Sequence, residues 1–317
     1  MPKIFFSLEP PIGSYGGGSF FVKNFIQFLK EKKYQITFNL EDNIDIIFII
    51  DPRKNKKFNK KYSIDDIINY KKKNQNTKII YRVNECDIKR EKSINIDPLI
   101  VKTITIADYV VFISKWLQNY FIKKYGLKIK SYSCILNGCN SNYFFPNKNI
   151  NLDKNKIKII THHWSDNYLK GFEIYNKLDV LLPKYKNIEF TFVGRYNKKY
   201  KPKNIKLISP KSDMELANII RKHDIYLTAT QNEPCGMHHI EGLSCGLPIL
   251  YYKGGGAIKE ACSGVGEEFQ NIDNFFNKLK LLSDNYDKYV KNIDYKYLSS
   301  NRCCEQYMRV IDKILYN

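Results

Sequence analysis

Several features that would decide this chain's class are missing. No segment approaches the roughly 18 apolar residues of a membrane span. The best candidate, IDIIFII at 44–50, contains Asp45 and reads as a strand. The opening MPKIFFSLEPP has no signal-peptide layout. The eight cysteines include no CxxC pair and no zinc spacing. A reduced, cytoplasmic protein is therefore expected, with peripheral contact to a membrane left open. There is no G-x-x-x-x-G-K-[ST] and no H-E-x-x-H, which argues against P-loop enzymes and against the zinc proteases built on that helix. The loop EPPIGSYGGGSFF falls short of G-x-G-x-x-G: Gly16 and Gly18 fit the first two glycines, but position 21 is Phe21.

Acidic residues are also in short supply. Lys and Arg number 52 against 32 Asp and Glu, for a net charge of +20. The excess is mostly lysine, scattered apart from clusters at Lys54–Lys61 and Lys71–Lys73. Such a charge attracts anions: a nucleotide phosphate, an anionic membrane surface or nucleic acid. No RNA-binding signature accompanies it, so nucleic acid is disfavoured. A solvated basic face without a dedicated partner accounts for the charge equally well.

What the chain does have is alternation. At 317 residues it is long enough for two domains with their own cores. KIFFSL, ITFNL, IDIIFII, TKIIYRV, YVVFIS and YSCILNG read as strands, with amphipathic segments such as GSFFVKNFIQFLK, SIDDIINYKKK and KWLQNYFIKKYG between them. Ser63 and Ser114 are placed as helix caps, Asp66 echoes a capping box, and Gly126 is a helix stop. A polar, lysine-rich stretch at 147–156 reads as a linker, after which the pattern restarts. IKIITHH, IEFTFVG, NIKLISP, IYLTAT and PILYY are strands; NYLKGFEIYNKLDVLL, SDMELANIIRK and MHHIEGLSC are helices. Residues 271–316 read as helical throughout. Two consecutive α/β domains follow, 1–148 and 149–300, each with a mostly parallel sheet covered on both faces and with a cleft between them. The terminal helix, 301–317, is expected to pack back on the N-terminal domain; its roles, bracing the domains or forming a homodimer, are both open.

The segment NEPCGMHHIEGLSCGLP, 232–248, is the richest in chemistry. Glu233 follows a strand, Pro234 fixes a turn, and Gly236 lets the backbone approach a ligand before His238, His239 and Ile240 begin a helix whose free amides point back at the loop. Such amides suit phosphate, and the paired carboxylates Glu233 and Glu241 suit sugar hydroxyls as pure acceptors. The plainer alternative is a turn glutamate and a helix-dipole glutamate. Gly254, Gly255 and Gly256 lie between a strand and a helix, where backbone amides cradle a diphosphate. Lys170 and Arg195 are candidate anion ligands, and Arg195 directly follows a strand. His162-His163 and His238-His239 are adjacent pairs; neighbours on a strand point to opposite faces, so neither pair is a metal site by itself. One histidine of each pair is expected to face a ligand.

The stretch Glu233-Pro234-Cys235-Gly236-Met237-His238-His239-Ile240-Glu241 resembles the signature of retaining glycosyltransferase family 4. Cys245-Gly246-Leu247-Pro248, Gly254, Gly255 and Glu260 extend the likeness, as do NGCNSNYFFP at 137–146 and YVVFISKWLQNYF. The resemblance spans roughly residues 1 to 270. It implies an α/β GT-B fold, with two Rossmann-like domains facing a central cleft. It also implies transfer of a sugar from a nucleoside-diphosphate donor, UDP- or GDP-linked, to a hydroxyl of a glycan or lipid acceptor, without a dedicated metal. By that resemblance Glu233 contacts the transferred sugar and Glu241 the ribose. The amides around Gly236, Met237, His238, Gly255 and Gly256 would hold the diphosphate. Gly17 and Gly18 would close on the donor phosphates, and Asp87 would bind or orient the acceptor hydroxyl. Lys170 matches the lysine that neutralises the leaving diphosphate. The accompanying arginine is missing: its position falls at His163 or Trp164, so His163, with His162 beside it, or Arg195 would take that charge. A noncatalytic nucleotide-sugar or glycan-binding protein of the same fold is the competing reading.

Overall fold

The structure, a computed structural model, describes residues 1–10, 16–54, 60–147 and 151–316. Part of the N-terminal glycine loop, most of the Lys54–Lys61 cluster and part of the 147–156 linker lie outside the described residues. Two compact units emerge: Met1–Asp87 with Ser93–Asn137 and Ser300–Asn317, and Ile88–Lys92 with Gly138–Ser299.

In the first unit β1 (Lys3–Phe6), β2 (Gln35–Thr37), β3 (Ile46–Ile49), β4 (Lys78–Val83), β5 (Tyr109–Phe112) and β6 (Tyr132–Cys134) form a parallel sheet in the order β2-β1-β3-β4-β5-β6. Every residue of IIFI in β3 and of YVVF in β5 is buried. Uninterrupted apolar runs are what parallel strands covered on both faces require. Among the described residues the helices α1 (Gly17–Glu31), α2 (Ile64–Lys73), α3 (Asp97–Ile106) and α4 (Lys115–Tyr125) join them. Helix α1 buries a stripe of Phe21, Val22, Phe25, Ile26 and Leu29 at helical spacing. Ser63 caps α2 in a full capping box: its hydroxyl accepts from the Asp66 N–H, and the Asp66 carboxylate accepts from the Ser63 N–H at 2.7 Å. Gly126 ends α4 at φ 63.

The second unit contains β7 (Ile157–His163), α5 (Phe172–Leu181), β8 (Ile188–Gly194), β9 (Lys206–Ile208), α6 (Asp213–Ile220), β10 (Ile225–Thr228), α7 (Met237–Ser244), β11 (Ile249–Tyr252), α8 (Ile258–Cys262), β12 (Gly266–Phe269), α9 (Ile272–Asp284) and α10 (Tyr286–Lys291). Its parallel sheet runs β12-β11-β10-β7-β8-β9. The chain begins in the middle, builds outward to β9, then returns to the other side of β7. The strand order therefore reverses between β7 and β10, and ligands of open α/β sheets bind beyond the carboxyl ends at such a point. One buried cluster joins Ile159, Tyr175, Phe192, Leu227, Phe275 and Leu282.

Residues 271–316 are not one helical run. They form α9, α10 and α11 (Ser300–Tyr316), with a break in which Ile293 and Leu298 are buried. Helix α11 belongs to the first unit, where Cys303, Cys304, Tyr307, Val310 and Ile311 join the core beside α1. The Phe21 and Tyr307 rings lie 4.7 Å apart. Among the described residues no helix is long and apolar enough to cross a membrane.

Candidate functional site

Strand register assembles the site at the β7/β10 reversal. Tyr226 pairs with Ile160. Because side chains alternate along a strand, Ile160 and His162 share a face, and Tyr226 and Thr228 share it on the next strand. Helix α7 covers that face. The hydroxyl of Tyr226 lies 3.0 Å from His162 Nδ1 and accepts the His162 backbone N–H at 3.1 Å. His162 Nε2 in turn lies 2.7 Å from Glu241 Oε2 on α7. Thr228 Oγ1 lies 2.9 Å from His238 Nε2. His163 points to the opposite face, where its Nε2 lies 3.1 Å from the Tyr175 hydroxyl. The adjacent histidines on β7 thus hydrogen-bond toward different faces, although the His163 ring also packs on His238 of α7, with centroids 4.8 Å apart.

Lys170 reaches the site from a tight turn. The expected helix over 167–182 is interrupted: a 3-10 turn at Tyr168–Lys170 ends at Gly171, and α5 starts only at Phe172. Gly171 has φ +101, and a Cβ there would meet the Ala229 Cβ at 2.6 Å. That close approach to the end of β10 brings Lys170 to Glu233, and its ammonium hydrogen-bonds the Glu233 carboxylate. Glu233 is 7% exposed. Burial pushes its pKa up, but the charges of Lys170 and then Lys89 outweigh burial, so the group stays below the ordinary carboxyl value. Lys89 belongs to the Ile88–Lys92 segment of this unit. Asn167 Nδ2 donates to the Lys89 carbonyl at 2.8 Å and Asn232 Nδ2 to the Ile88 carbonyl at 3.3 Å.

The backbone completes the site. Glu233 forms an isolated parallel bridge with Gly256: its N–H donates to the Gly255 carbonyl and its carbonyl accepts from the Ala257 N–H at 2.8 Å. Gly256 has φ +69, and a Cβ there would lie 2.7 Å from the Glu233 N and O. The Gly255 N–H donates to the Tyr252 carbonyl at 3.0 Å. Helix α7 starts at Gly236 with no side-chain cap, so its first N–H groups, at Met237 and His238, face the Glu233 turn. Burial holds His163 and His238 well below the ordinary imidazole pKa and lowers His239 to about 4. Neither ring nitrogen of His239 has a hydrogen-bond partner among the described residues. Among those residues no three His, Cys, Asp or Glu side chains are arranged to hold a metal ion.

The remaining candidates have the following surroundings within their own units. Arg195 is exposed and stacks on Trp164, its guanidinium 5.3 Å from the ring. Gly17 and Gly18 open α1 in the first unit, after Gly16 as an N-cap without a side-chain bond. Asp87 also lies in the first unit, where its carboxylate accepts the N–H groups of Ile94, Ile96 and Asp97, each at 3.1 Å. Those bonds build the loop ahead of α3. Tyr226 and Lys89 escaped the sequence reading. A tyrosine inside an apolar strand signals only β-propensity, and one lysine among so many carries no signal.

Residues 148–298 match the family model described as glycosyl transferases group 1. A curated relative, the probable sucrose-phosphate synthase of Thermosipho melanesiensis, is 28% identical over 196 residues, covering 56% of this chain and 46% of the relative. The chain thus spans about half the length of that relative. The sucrose-phosphate synthase structure from Thermosynechococcus elongatus superposes with a TM-score of 0.73 at 12% identity, over 99% of this chain and 98% of that one. Anabaena HepE in complex with UDP gives a TM-score of 0.72 at 14% identity, over 99% and 100%. These likenesses agree with the two parallel sheets: the fold is GT-B, and the segment 148–298 is similar to the group 1 glycosyl transferases.

Proposed function

We propose that the chain is a retaining glycosyltransferase that moves a sugar from a nucleoside-diphosphate donor to a hydroxyl of a glycan or lipid acceptor. The observation that carries this reading is the ion pair of the part-buried Lys170 with the buried Glu233 at the uncapped start of α7, with Glu241 on the same helix. A cation, a row of free amides and two carboxylates are what an anionic diphosphate flanked by two sugars requires. Glu233 accepts hydrogen bonds from hydroxyls of the transferred sugar, and Glu241 from the ribose. Lys170 and the α7 amides bind the diphosphate.

In the reaction the bond between the anomeric carbon and the phosphate oxygen breaks. Negative charge collects on the departing diphosphate, where Lys170 and the amides stabilise it. The acceptor oxygen bonds to the anomeric carbon on the face the phosphate leaves, and the departing phosphate takes the acceptor's proton. Glu233 stays ionised throughout, in keeping with its lowered pKa, and is not a nucleophile. No step requires a divalent metal. The HepE complex with UDP supports a uridine donor as the first to try.

The test is nucleotide release from UDP- and GDP-sugars, with and without a chelator, in wild type, Lys170→Met and Glu233→Gln. Turnover by wild type alone supports the reading. Absence of both turnover and nucleotide-sugar binding across the donor set sinks it.

A further inference from the structure

We infer that Tyr226 and His162 are positioning residues for Glu241 and set how strongly the site prefers a ribonucleotide to its deoxy analogue. The inference rests on the reading of Glu241 as the ribose ligand. Its geometry is a chain of three side chains. The Tyr226 hydroxyl accepts the backbone N–H of His162 at 3.1 Å, which commits its oxygen as an acceptor. Glu241 can only accept, so the neutral His162 ring keeps its proton on Nε2 and its Nδ1 accepts the Tyr226 hydroxyl proton at 3.0 Å. An imidazole that accepts at Nδ1 carries its proton on Nε2 when neutral. That N–H donates to Glu241 Oε2 at 2.7 Å. One hydroxyl on β10 thus supports the tautomer on β7 that grips the carboxylate on α7.

The chain is shielded from water. Tyr226 is fully buried, His162 is 7% exposed, and the Glu241 side chain is 13% exposed. A carboxylate held at one oxygen by a buried donor keeps one orientation and offers its remaining lone pairs in fixed directions. Vicinal ribose hydroxyls reward such fixity, because two short hydrogen bonds to one carboxylate need both oxygens placed. Without the imidazole the Glu241 carboxylate rotates among several arrangements, and only part of that population suits the diol. The lost affinity then appears only for ligands that carry the hydroxyls.

The experiment measures binding of UDP and GDP, each beside its 2′,3′-dideoxy analogue, by calorimetry. Wild type is expected to prefer the ribonucleotide by about 10- to 100-fold, the range of a charged hydrogen bond. His162→Phe should cut that preference to about threefold or less while dideoxy affinity stays put. His162→Gln, which returns an N–H near the Nε2 position, should recover most of it. Tyr226→Phe removes one oxygen from a packed ring and should fall between, which keeps the test decisive where His162→Phe folds poorly. Undiminished preference in Tyr226→Phe and His162→Phe overturns the inference. So does a parallel loss for ribo- and dideoxynucleotides, the mark of a merely structural role. Wild type that binds the nucleotides without any preference removes Glu241 from the ribose yet leaves the donor reading standing. Wild type that binds none of them removes both.

Discussion

Replacing His239 with leucine should stabilise the second unit, and the gain should grow as the pH falls. His239 is fully buried on α7, and neither of its ring nitrogens has a hydrogen-bond partner among the described residues. Burying an unpaired polar group costs about 1–3 kcal/mol, so an apolar side chain of similar size should recover a good part of that at pH 7. The pH dependence follows from its pKa. Burial, opposed by the Glu233 charge, lowers it to about 4. In the unfolded chain the same imidazole titrates near 6.5. Between those values the unfolded state binds the proton and the folded state does not. The neutral imidazole's share of stability is therefore complete above about pH 6.5 and drains away as pH falls toward about 4. From pH 7 to pH 5 the loss from this one residue is about 2 kcal/mol.

His163 and His238, also lowered by burial, add losses of the same sign in wild type and variant alike. Glu233 has its pKa lowered in the folded state, so its contribution is lost only as pH drops below the ordinary carboxyl range. The difference between His239→Leu and wild type isolates one titration. That difference should widen from about 1–2 kcal/mol at pH 7 to about 3–4 kcal/mol at pH 5. Trp116 lies in the first unit and Trp164 in the second. A Trp116→Phe background therefore lets Trp164 fluorescence follow the second unit in urea titrations at both pH values. A constant difference across that window, or a variant less stable at pH 7, would refute the argument.

Other outcomes follow from the same geometry. Lys170→Met removes the ion-pair partner of a buried carboxylate and should cost about 3 kcal/mol in urea unfolding. Adding Glu233→Gln should return part of that, and a double-mutant cycle without coupling would contradict the pair. Gly256→Ala sets a Cβ at 2.7 Å from the Glu233 backbone and should lower nucleotide affinity about tenfold or more, read by calorimetry. Ser63→Ala removes the cap of α2 and should cost the first unit about 1 kcal/mol, seen through Trp116 fluorescence, with no change in nucleotide affinity.

What was legible in the sequence was whatever depends on near neighbours. Runs such as IIFI and YVVF declare strands because both faces of a parallel sheet are apolar. Ser63 with Asp66, and Gly126 at φ 63, mark helix ends through local bonds. Helix α3 was not legible, because VKTITI is rich in β-branched residues that favour strands, and Pro98 at its start is the main helical signal. Strand β12, GEEF, has only Phe269 buried and shows no apolar pattern. It is a strand because β11 supplies the partner. The end of the chain divides into three helices because Ile293 and Leu298 anchor a loop, which helical spacing does not encode.

The site follows the same rule, and the charge beside the proposed diphosphate position shows it best. Three residues were expected to stand in for a missing arginine, each chosen by chemical type or by proximity in the chain. His163 is turned to the α5 face against Tyr175, and its lowered pKa keeps it neutral. Arg195 lies over Trp164 in solvent. His162 holds Glu241. The second cation felt by Glu233 is Lys89, some 80 residues before Lys170, in a segment pinned by Asn167 and Asn232 on either side of the Lys170–Glu233 pair. A lysine lost among many others becomes informative only once hydrogen bonds to its backbone fix where it stands. Motifs report which groups a site needs; the long-range bonds, such as the 64-residue span from His162 to Tyr226, decide which copies of those groups it receives.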